Sequence, residues 1–158
     1  MALDFTVVIQ VRQRFGDRDA DDLGQETEAP FVGQQKDFSF RCPSVDSGQQ
    51  AILLFQCQGA NVQQSLKING QEIFGNIPAS VEQKPFPFLQ PNDVVISVPN
   101  AQWNGNIMII HPGVLQENNV LRIKAGEIGD SGNIDNFIID NLVVVFKTRR
   151  SSGTVGGG

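Results

Sequence analysis

Apolar and polar residues alternate along several short stretches of the chain, with the period of β-strands. Near the amino terminus, every second position is apolar, and the set comprises Leu3, Phe5, Val7, Ile9 and Val11. A half-buried strand has this period because successive side chains point to opposite faces of a sheet. The pattern therefore predicts a first strand whose apolar side chains face the core.

The same period recurs twice more. Phe38, Phe40 and Cys42 alternate with polar residues before Pro43, and Leu121 and Ile123 alternate with Arg122 and Lys124. Each stretch predicts a strand with its apolar side chains inward and its polar side chains in solvent.

Two runs are too apolar for a strand at the rim of a sheet. One spans residues 51–57, and the other, rich in β-branched residues, spans 136–147. Both are predicted to lie inside a sheet. In the second run the inward register changes between Ile139 and Leu142, which predicts a β-bulge at Asp140 and Asn141.

Turn residues divide these strands. Asn69-Gly70 predicts a tight hairpin because both positions tolerate positive φ angles, and 110–115 predicts a compact turn with Val114 and Leu115 filling one end of the core. Four prolines make 75–92 a loop, before another predicted strand at 94–98. The stretch 16–35 is predicted to be a loop of unusual length, and such loops are often functional.

About eight or nine short strands, with no helical periodicity, predict an all-β fold, an antiparallel β-sandwich. The composition agrees with this prediction, because 40% of the residues are hydrophobic and only 18% charged, with 16 glycines and 8 prolines for turns. Residues 1–150 are expected to form a single sandwich domain, and 151–158 a flexible Gly/Ser-rich tail.

Charge and cysteine content narrow the function classes. A net charge of −5 and a pI near 4.7 argue against nucleic acid and against an anionic membrane surface as the main partner. The amino terminus has the pattern of neither a signal peptide nor a spanning helix, so the chain is expected to be soluble, without membrane insertion. Cys42 and Cys57 are expected to be buried free thiols, with a disulfide between them as the alternative.

Several segments resemble the galactose-binding-domain-like jelly rolls, β-sandwiches found as carbohydrate-binding modules and beside glycoside hydrolases. The resemblance extends over residues 50–148 and rests on the following stretches: Leu66-Lys-Ile-Asn-Gly, Trp103, Ile110-His-Pro-Gly-Val-Leu, Glu117-Asn-Asn-Val-Leu-Arg-Ile and Asp135-Asn-Phe-Ile-Ile-Asp-Asn-Leu-Val-Val. It implies a jelly-roll topology and carbohydrate as the ligand class.

An acidic stretch inside the first long loop has the ligand spacing of a calcium loop. Asp17, Asp19 and Asp21 alternate, and Glu28 follows six residues after Asp22. Calcium prefers several carboxylate oxygens, which alternating acids in a turn supply. These residues are candidate calcium ligands, and a solvated acidic loop is the alternative. A second oxygen-rich stretch, 127–135, suits a cation or ordinary turns.

The only tryptophan, Trp103, is predicted to lie in a polar loop, 100–106, together with Gln102, Asn104 and Asn106. Sugars stack on aromatic rings and hydrogen-bond to amide side chains. These four residues are the candidate ligand-binding set, and a Trp103 that only anchors the core or a loop is the alternative. The one histidine, His111, has no nucleophile motif near it, so no enzymatic activity is expected.

The sequence and this resemblance together predict a non-catalytic binding module that recognises carbohydrate through loops at one end of the sandwich, with a structural calcium ion. The alternative function is a structural or assembly subunit that binds protein partners through a sheet edge or through the Pro-rich loop. The two functions place different demands on Trp103, because a sugar module needs an exposed ring whereas an assembly subunit needs an apolar patch elsewhere.

Overall fold

The computed structural model describes residues 1–17, 29–73, 103–130 and 132–149. This part of the chain contains ten strands and no helix, and therefore no helix long and apolar enough to cross a bilayer. The strands are β1 (Ala2–Ile9), β2 (Gln13–Phe15), β3 (Phe31–Gly33), β4 (Gln35–Arg41), β5 (Ala51–Gln58), β6 (Ser65–Ile68), β7 (Gln71–Glu72), β8 (Trp103–Ile110), β9 (Asn118–Lys124) and β10 (Phe137–Thr148). The predicted all-β sandwich is confirmed. The expected tail, 151–158, and the expected strand 94–98 lie outside the described residues.

Sheet A is organised around β10. Its strand order is β3-β2-β10-β5-β8, and β1 also pairs with β10. The prediction that the last apolar run lies inside a sheet is therefore confirmed. The β2–β3 pair is parallel and the other pairs are antiparallel. Because β3 forms within 16–35, the prediction of one uninterrupted loop there was wrong: Phe31–Gly33 pairs with β2.

Sheet B has the order β4-β9-β6-β7. The hairpin between β6 and β7 turns at Asn69 and Gly70, with φ angles of 52° and 79°, as predicted. The side-chain amide of Asn69 also donates to the carbonyl of Val114, at 2.9 Å. This bond joins the hairpin to the predicted plug, and Val114 and Leu115 are indeed buried.

The core lies between the inner faces of the two sheets. Sheet A contributes Phe15, Leu53, Phe137 and Phe146, and sheet B contributes Leu66, Ile68, Leu121 and Ile123. The rings of Phe15 and Phe137 stack with centroids 5.1 Å apart. The inward orientation predicted for Leu121 and Ile123 is confirmed.

Both cysteines are buried free thiols, as expected. Burial raises the pKa of Cys57 to about 12, chiefly because an apolar surrounding disfavours the thiolate. Burial also raises the pKa of Cys42 to about 12. Cys57 comes from β5 of sheet A, and Cys42 directly follows β4 of sheet B. Burial therefore raises the thiol pKa on both sides of the core.

The first strand forms as predicted, but its facing was predicted wrongly. Leu3, Phe5 and Val7 are exposed on the outer face of sheet A, and only Ile9, beyond a register shift, is buried. The intervening Thr6 faces the other sheet instead, and its hydroxyl donates to the carbonyl of Arg41 at 2.6 Å. Because Thr6 faces sheet B to make this hydrogen bond, strand alternation turns the neighbouring apolar side chains to the outer face.

The predicted bulge in β10 is confirmed. The register with β5 shifts between Asp140 and Val143, and Asn141 has a φ angle of 49°. The Asp140 carboxylate accepts the N–H of Asn141 at 2.8 Å. The bulge lets both Ile139 and Leu142 point into the core, and it displays polar side chains on the outer face.

Candidate functional site

The outer face of sheet A contains a cluster of polar and aromatic residues where β5, β8 and β10 run side by side. We call it the polar region, and it comprises Arg12, Gln56, Gln58, Trp103, Gly105, Asp140 and Asn141. The strand register assembles it, because Gln56 pairs with both Gly105 and Asp140, and Gln58 pairs with Trp103. Alternation places these positions on the face opposite the core residues Phe55 and Cys57.

Trp103 is the first residue of β8, so the prediction that it lies in a loop was wrong. Its half-buried side chain packs against Ile138 and Ala29. The guanidinium carbon of Arg12 lies 4.8 Å from the centre of the indole ring, a cation–π contact. Because Arg12 covers the ring, a sugar would have to displace Arg12 to stack flat on it.

An ion pair and an amide pair fix the geometry of the polar region. Arg12 Nε donates to Asp140 Oδ2 at 2.9 Å, and the Asp140 side chain is only 13% exposed. Asn141 Nδ2 donates to Gln56 Oε1 at 2.9 Å. These bonds hold the charged and amide groups in defined positions before any ligand arrives, which lowers the entropic cost of binding.

Gln58 presents an acceptor without a donor. Its side chain is buried, and its Oε1 receives no hydrogen bond from the described residues. A buried acceptor left unpaired is costly, so a donor from water or from a ligand hydroxyl would be stabilising there.

A shallow concavity of about 500 Å³ lies beside the polar region. Leu54, Ile107 and Val143 form its apolar part, and Gln56 and Asn141 form its polar part. Gly105 borders it with open space where a Cβ would stand. The concavity therefore offers apolar contact and paired amides within one small volume.

The structure separates the residues that the sequence grouped around Trp103. Asn104 and Asn106 pair with Cys57 and Phe55, so alternation sets them on the other side of β8 from Trp103, although Asn106 borders the concavity. Gln102 lies outside the described residues. The roles predicted for these residues stay predictions.

Sequence reasoning missed the amides that the structure places next to the concavity. Gln56 comes from β5 and Asn141 from β10, and no local motif connects them. One signal was available, because Asp140 and Asn141 interrupt an otherwise apolar run. The bulge was predicted from that interruption, but its consequence for the outer face was not.

Among the predicted calcium ligands, the structure describes only Asp17, which is exposed. Asp19, Asp21 and Glu28 lie outside the described residues, so the calcium site stays a prediction. Within the described ranges, His, Cys, Asp and Glu side chains form no group of three or more that could hold a metal ion.

In the second oxygen-rich stretch, Asp135 is fully buried and its carboxylate serves the fold. It accepts the backbone N–H groups of Asn61 and Val62, at 2.7 and 3.1 Å, and the side-chain amide of Gln64. Glu127 accepts the N–H of Gly132 at 2.7 Å. These acceptors fasten turns, which is the alternative that the sequence left open for this stretch.

Comparison with known proteins identifies no family. No family model and no curated protein matches the chain. Among solved structures, it is similar to a BuGH86 protein in complex with neoagarooctaose, at 14% identity and a TM-score of 0.45 over 89% of this chain and 19% of the other. It is also similar to dimeric latent PorU from Porphyromonas gingivalis, at 14% identity and a TM-score of 0.47 over 99% of this chain and 14% of the other.

The extracellular domain of ANXUR1 from Arabidopsis thaliana is a third similar structure, at 12% identity and a TM-score of 0.44 over 89% of this chain and 39% of the other. The chain thus spans less than two fifths of the length of each of these three proteins.

Proposed function

We propose that this chain is a non-catalytic binding module that recognises carbohydrate at the outer face of sheet A, and not through the end loops expected from the sequence. The observation that carries the proposal is the concavity in which Gln56 and Asn141 stand beside Leu54, Ile107 and Val143. A sugar presents hydroxyl groups at its edge and C–H groups on its faces. Amide side chains both donate and accept hydrogen bonds, and aliphatic side chains cover C–H groups.

Binding would use groups that are already in place. After the bond from Asn141 Nδ2 to Gln56 Oε1, the Oδ1 atom of Asn141 and the Nε2 atom of Gln56 remain to accept and donate. Gly105 leaves room for a ring to approach the backbone of β8. Trp103, under Arg12, would contact the ligand by its edge, and Asn106, which borders the concavity, would add a further amide. The role predicted for Gln102 is kept, whereas Asn104 lies on the opposite side of β8 and would not contact a ligand in this concavity.

The test follows the fluorescence of Trp103 during thermal unfolding in a panel of mono- and polysaccharides. A ligand that binds only the folded state stabilises it, by about 2.7 kcal/mol at a concentration of 100 Kd. We expect at least one carbohydrate to raise the midpoint and to change the emission of the folded protein, since Trp103 is the only tryptophan.

Two variants locate the site. Gln56→Ala should abolish the shift, and Gly105→Ala, whose added Cβ meets no atom within 4 Å in the structure, should weaken it by narrowing the concavity. The matched control is Gln71→Ala, an exposed glutamine of β7 in sheet B, which should leave the shift unchanged. An unchanged midpoint with every sugar, or equal binding by Gln56→Ala and the control, would contradict the proposal.

The proposal includes a structural calcium ion at the acidic loop, held by Asp17, Asp19, Asp21 and Glu28. Its support is the ligand spacing in the sequence. Calcium should raise the unfolding midpoint relative to EDTA, and Asp17→Asn should reduce that rise. Equal midpoints in calcium and EDTA would remove the ion from the proposal.

A second candidate function, assembly through protein partners, is favoured by a separate observation. Leu3, Phe5 and Ile107 are exposed on the same outer face. A sheet edge and the Pro-rich segment were the surfaces expected from the sequence, and the Pro-rich segment lies outside the described residues.

A further inference from the structure

The outer face of sheet A contains a second cluster, made only of apolar side chains. We call it the apolar region, and it comprises Leu3, Phe5, Val7, Ile52, Leu54, Ile107, Ile109, Val143 and Val145. The register arranges most of it in two rows across four strands. One row joins Phe5, Val145, Ile52 and Ile109, and the next joins Val7, Val143, Leu54 and Ile107.

These side chains point away from the core. Leu3, Phe5 and Ile107 are 71%, 64% and 72% exposed. The residues that alternate with members of the region along β5, β10 and β8 point into the core and are buried, namely Leu53, Val144 and Met108. Single exposed apolar residues are ordinary on protein surfaces, but contiguous rows of them mark an interaction surface.

Sheet B has a different outer face. There Asp37 and Arg122 form a bidentate ion pair, with distances of 2.8 and 2.9 Å, and Arg41 pairs with Glu117. Val120 is the one large hydrophobic residue on the described strands of that sheet that is exposed. One sandwich thus carries one charged outer face and one apolar outer face.

We propose that the apolar region binds the same region of a second copy of this chain, giving a reversible two-fold dimer. The available area suits that occupant. A fully exposed large apolar residue presents roughly 150 to 200 Å². The exposed members of the region alone, at 39 to 72% exposure, therefore offer about 500 Å² per copy.

Two copies would bury about 1,000 Å², the size at which a specific interface becomes plausible and well below the roughly 2,000 Å² where obligate dimers begin. Burial of this apolar surface is favourable, but the cost of association offsets much of the gain in free energy. The area therefore indicates a concentration-dependent dimer rather than a permanent one.

The chemistry of the region favours a copy of itself over a charged partner. None of the nine members is charged, and a fixed charge stands only at the margin of the region, where Lys147 pairs with Leu3. In a two-fold dimer the same surface of each copy forms the interface, so the region needs only to be complementary to itself. Two sheets that pack face to face lie about 10 Å apart, the spacing already used in the interior of a sandwich.

The dimer and the carbohydrate site are distinct proposals whose surfaces overlap at three side chains. Leu54, Ile107 and Val143 border the concavity, whereas Gln56, Asn141 and Trp103 lie in the polar region, toward the other end of the sheet. Loss of the dimer is measured by mass, and loss of sugar binding by Trp103 emission, so failure of one is distinguishable from failure of the other.

The test is sedimentation velocity on the whole chain over a series of concentrations. We expect the wild type to shift from monomer to dimer as concentration rises. Ile107→Lys, which places a charge in the centre of a row, should stay monomeric. The matched control, Val120→Lys, places the same charge on an exposed strand position of sheet B and should dimerise like the wild type.

Phe5→Lys is the second variant. It places a charge on β1, in the other row of the apolar region, and it should also stay monomeric. Circular dichroism and unfolding midpoints establish that each variant is folded. A wild type that is monomeric at every concentration up to about 1 mM would overturn the proposal, and another protein or a lipid surface would then be the occupant. A dimer that survives both Ile107→Lys and Phe5→Lys would overturn it too, because the contact would lie elsewhere.

Discussion

The two outer faces of this sandwich differ, although both sheets contribute to one core. Sheet B presents side chains that water solvates, joined by exposed ion pairs such as Asp37–Arg122. Sheet A presents apolar rows at one end and, at the other, two amides and the Arg12–Asp140 pair, in which the carboxylate is shielded from solvent. Packing in the core constrains only the residues on the inner faces, so the composition of each outer face has a separate cause. The outer face of sheet B suits solvent, and both proposals place a binding surface on the outer face of sheet A.

The largest effect should come from the ion pair on sheet A. Asp140→Ala removes the acceptor of both the Arg12 guanidinium and the Asn141 N–H in a nearly buried position. We expect the free energy of unfolding to fall by about 2 kcal/mol, measured by urea denaturation.

Asp37→Ala is the control on sheet B. The pKa of Asp37 is lowered, first by its hydrogen bond to Arg122, but the pair is exposed, and exposed pairs contribute little. No measurable change is expected. Equal losses for the two variants would show that the two faces are not electrostatically different.

An intermediate effect concerns the interior that both sheets share. The pKa of Cys57 is about 12 in the folded protein against an ordinary 9.0. Above pH 9 the unfolded chain therefore loses a proton that the folded chain keeps, so stability falls as pH rises, by about 1.4 kcal/mol per pH unit for each such thiol. Below pH 9 both states hold the proton and the thiol contributes no pH dependence.

Urea denaturation between pH 8 and 10.5, followed by Trp103 emission, measures this slope. The chain has no tyrosine, so no phenol ionises in that range. Cys57→Ala should reduce the slope by the contribution of one thiol. An unchanged slope in that variant would mean that Cys57 does not hold its proton in the folded state.

The smallest effect concerns the monomer alone. At low concentration, Ile107→Lys and Val120→Lys should each change the free energy of unfolding by less than about 0.5 kcal/mol, because both positions are exposed. Chemical denaturation of dilute protein checks this. A large loss for only Ile107→Lys would show that the apolar region stabilises the monomer itself.

Strands β1 and β9 show how far the sequence alone leads. Both have strict alternation, and both were expected to turn their apolar residues inward. In β9, Leu121 and Ile123 are completely buried, whereas in β1 Leu3 and Phe5 are exposed. Alternation establishes that a strand has an apolar side. Whether that side faces the core depends on the position of the other sheet, and the local sequence pattern carries no information about that position.

The predictions that succeeded rest on local chemistry. The Asn69-Gly70 hairpin follows from tolerance of positive φ angles, and the bulge at Asp140 and Asn141 follows from an interrupted apolar run. The candidate site was harder, because Gln56 and Asn141 meet only through the register between β5 and β10. A shift of one residue would turn every side chain to the opposite face, so no motif search could find the pair.

The central place of β10 has a consequence for synthesis of the chain. Every strand of sheet B lies within residues 35–124, whereas sheet A needs β10 to join β1 and β2 to β5, through pairs as distant as Ala2 and Thr148. Such non-local pairings form slowly. While the ribosome is still completing β10, the apolar strands β1 and β5 have no neighbour between them. We therefore expect aggregation of the nascent chain to begin at these two strands.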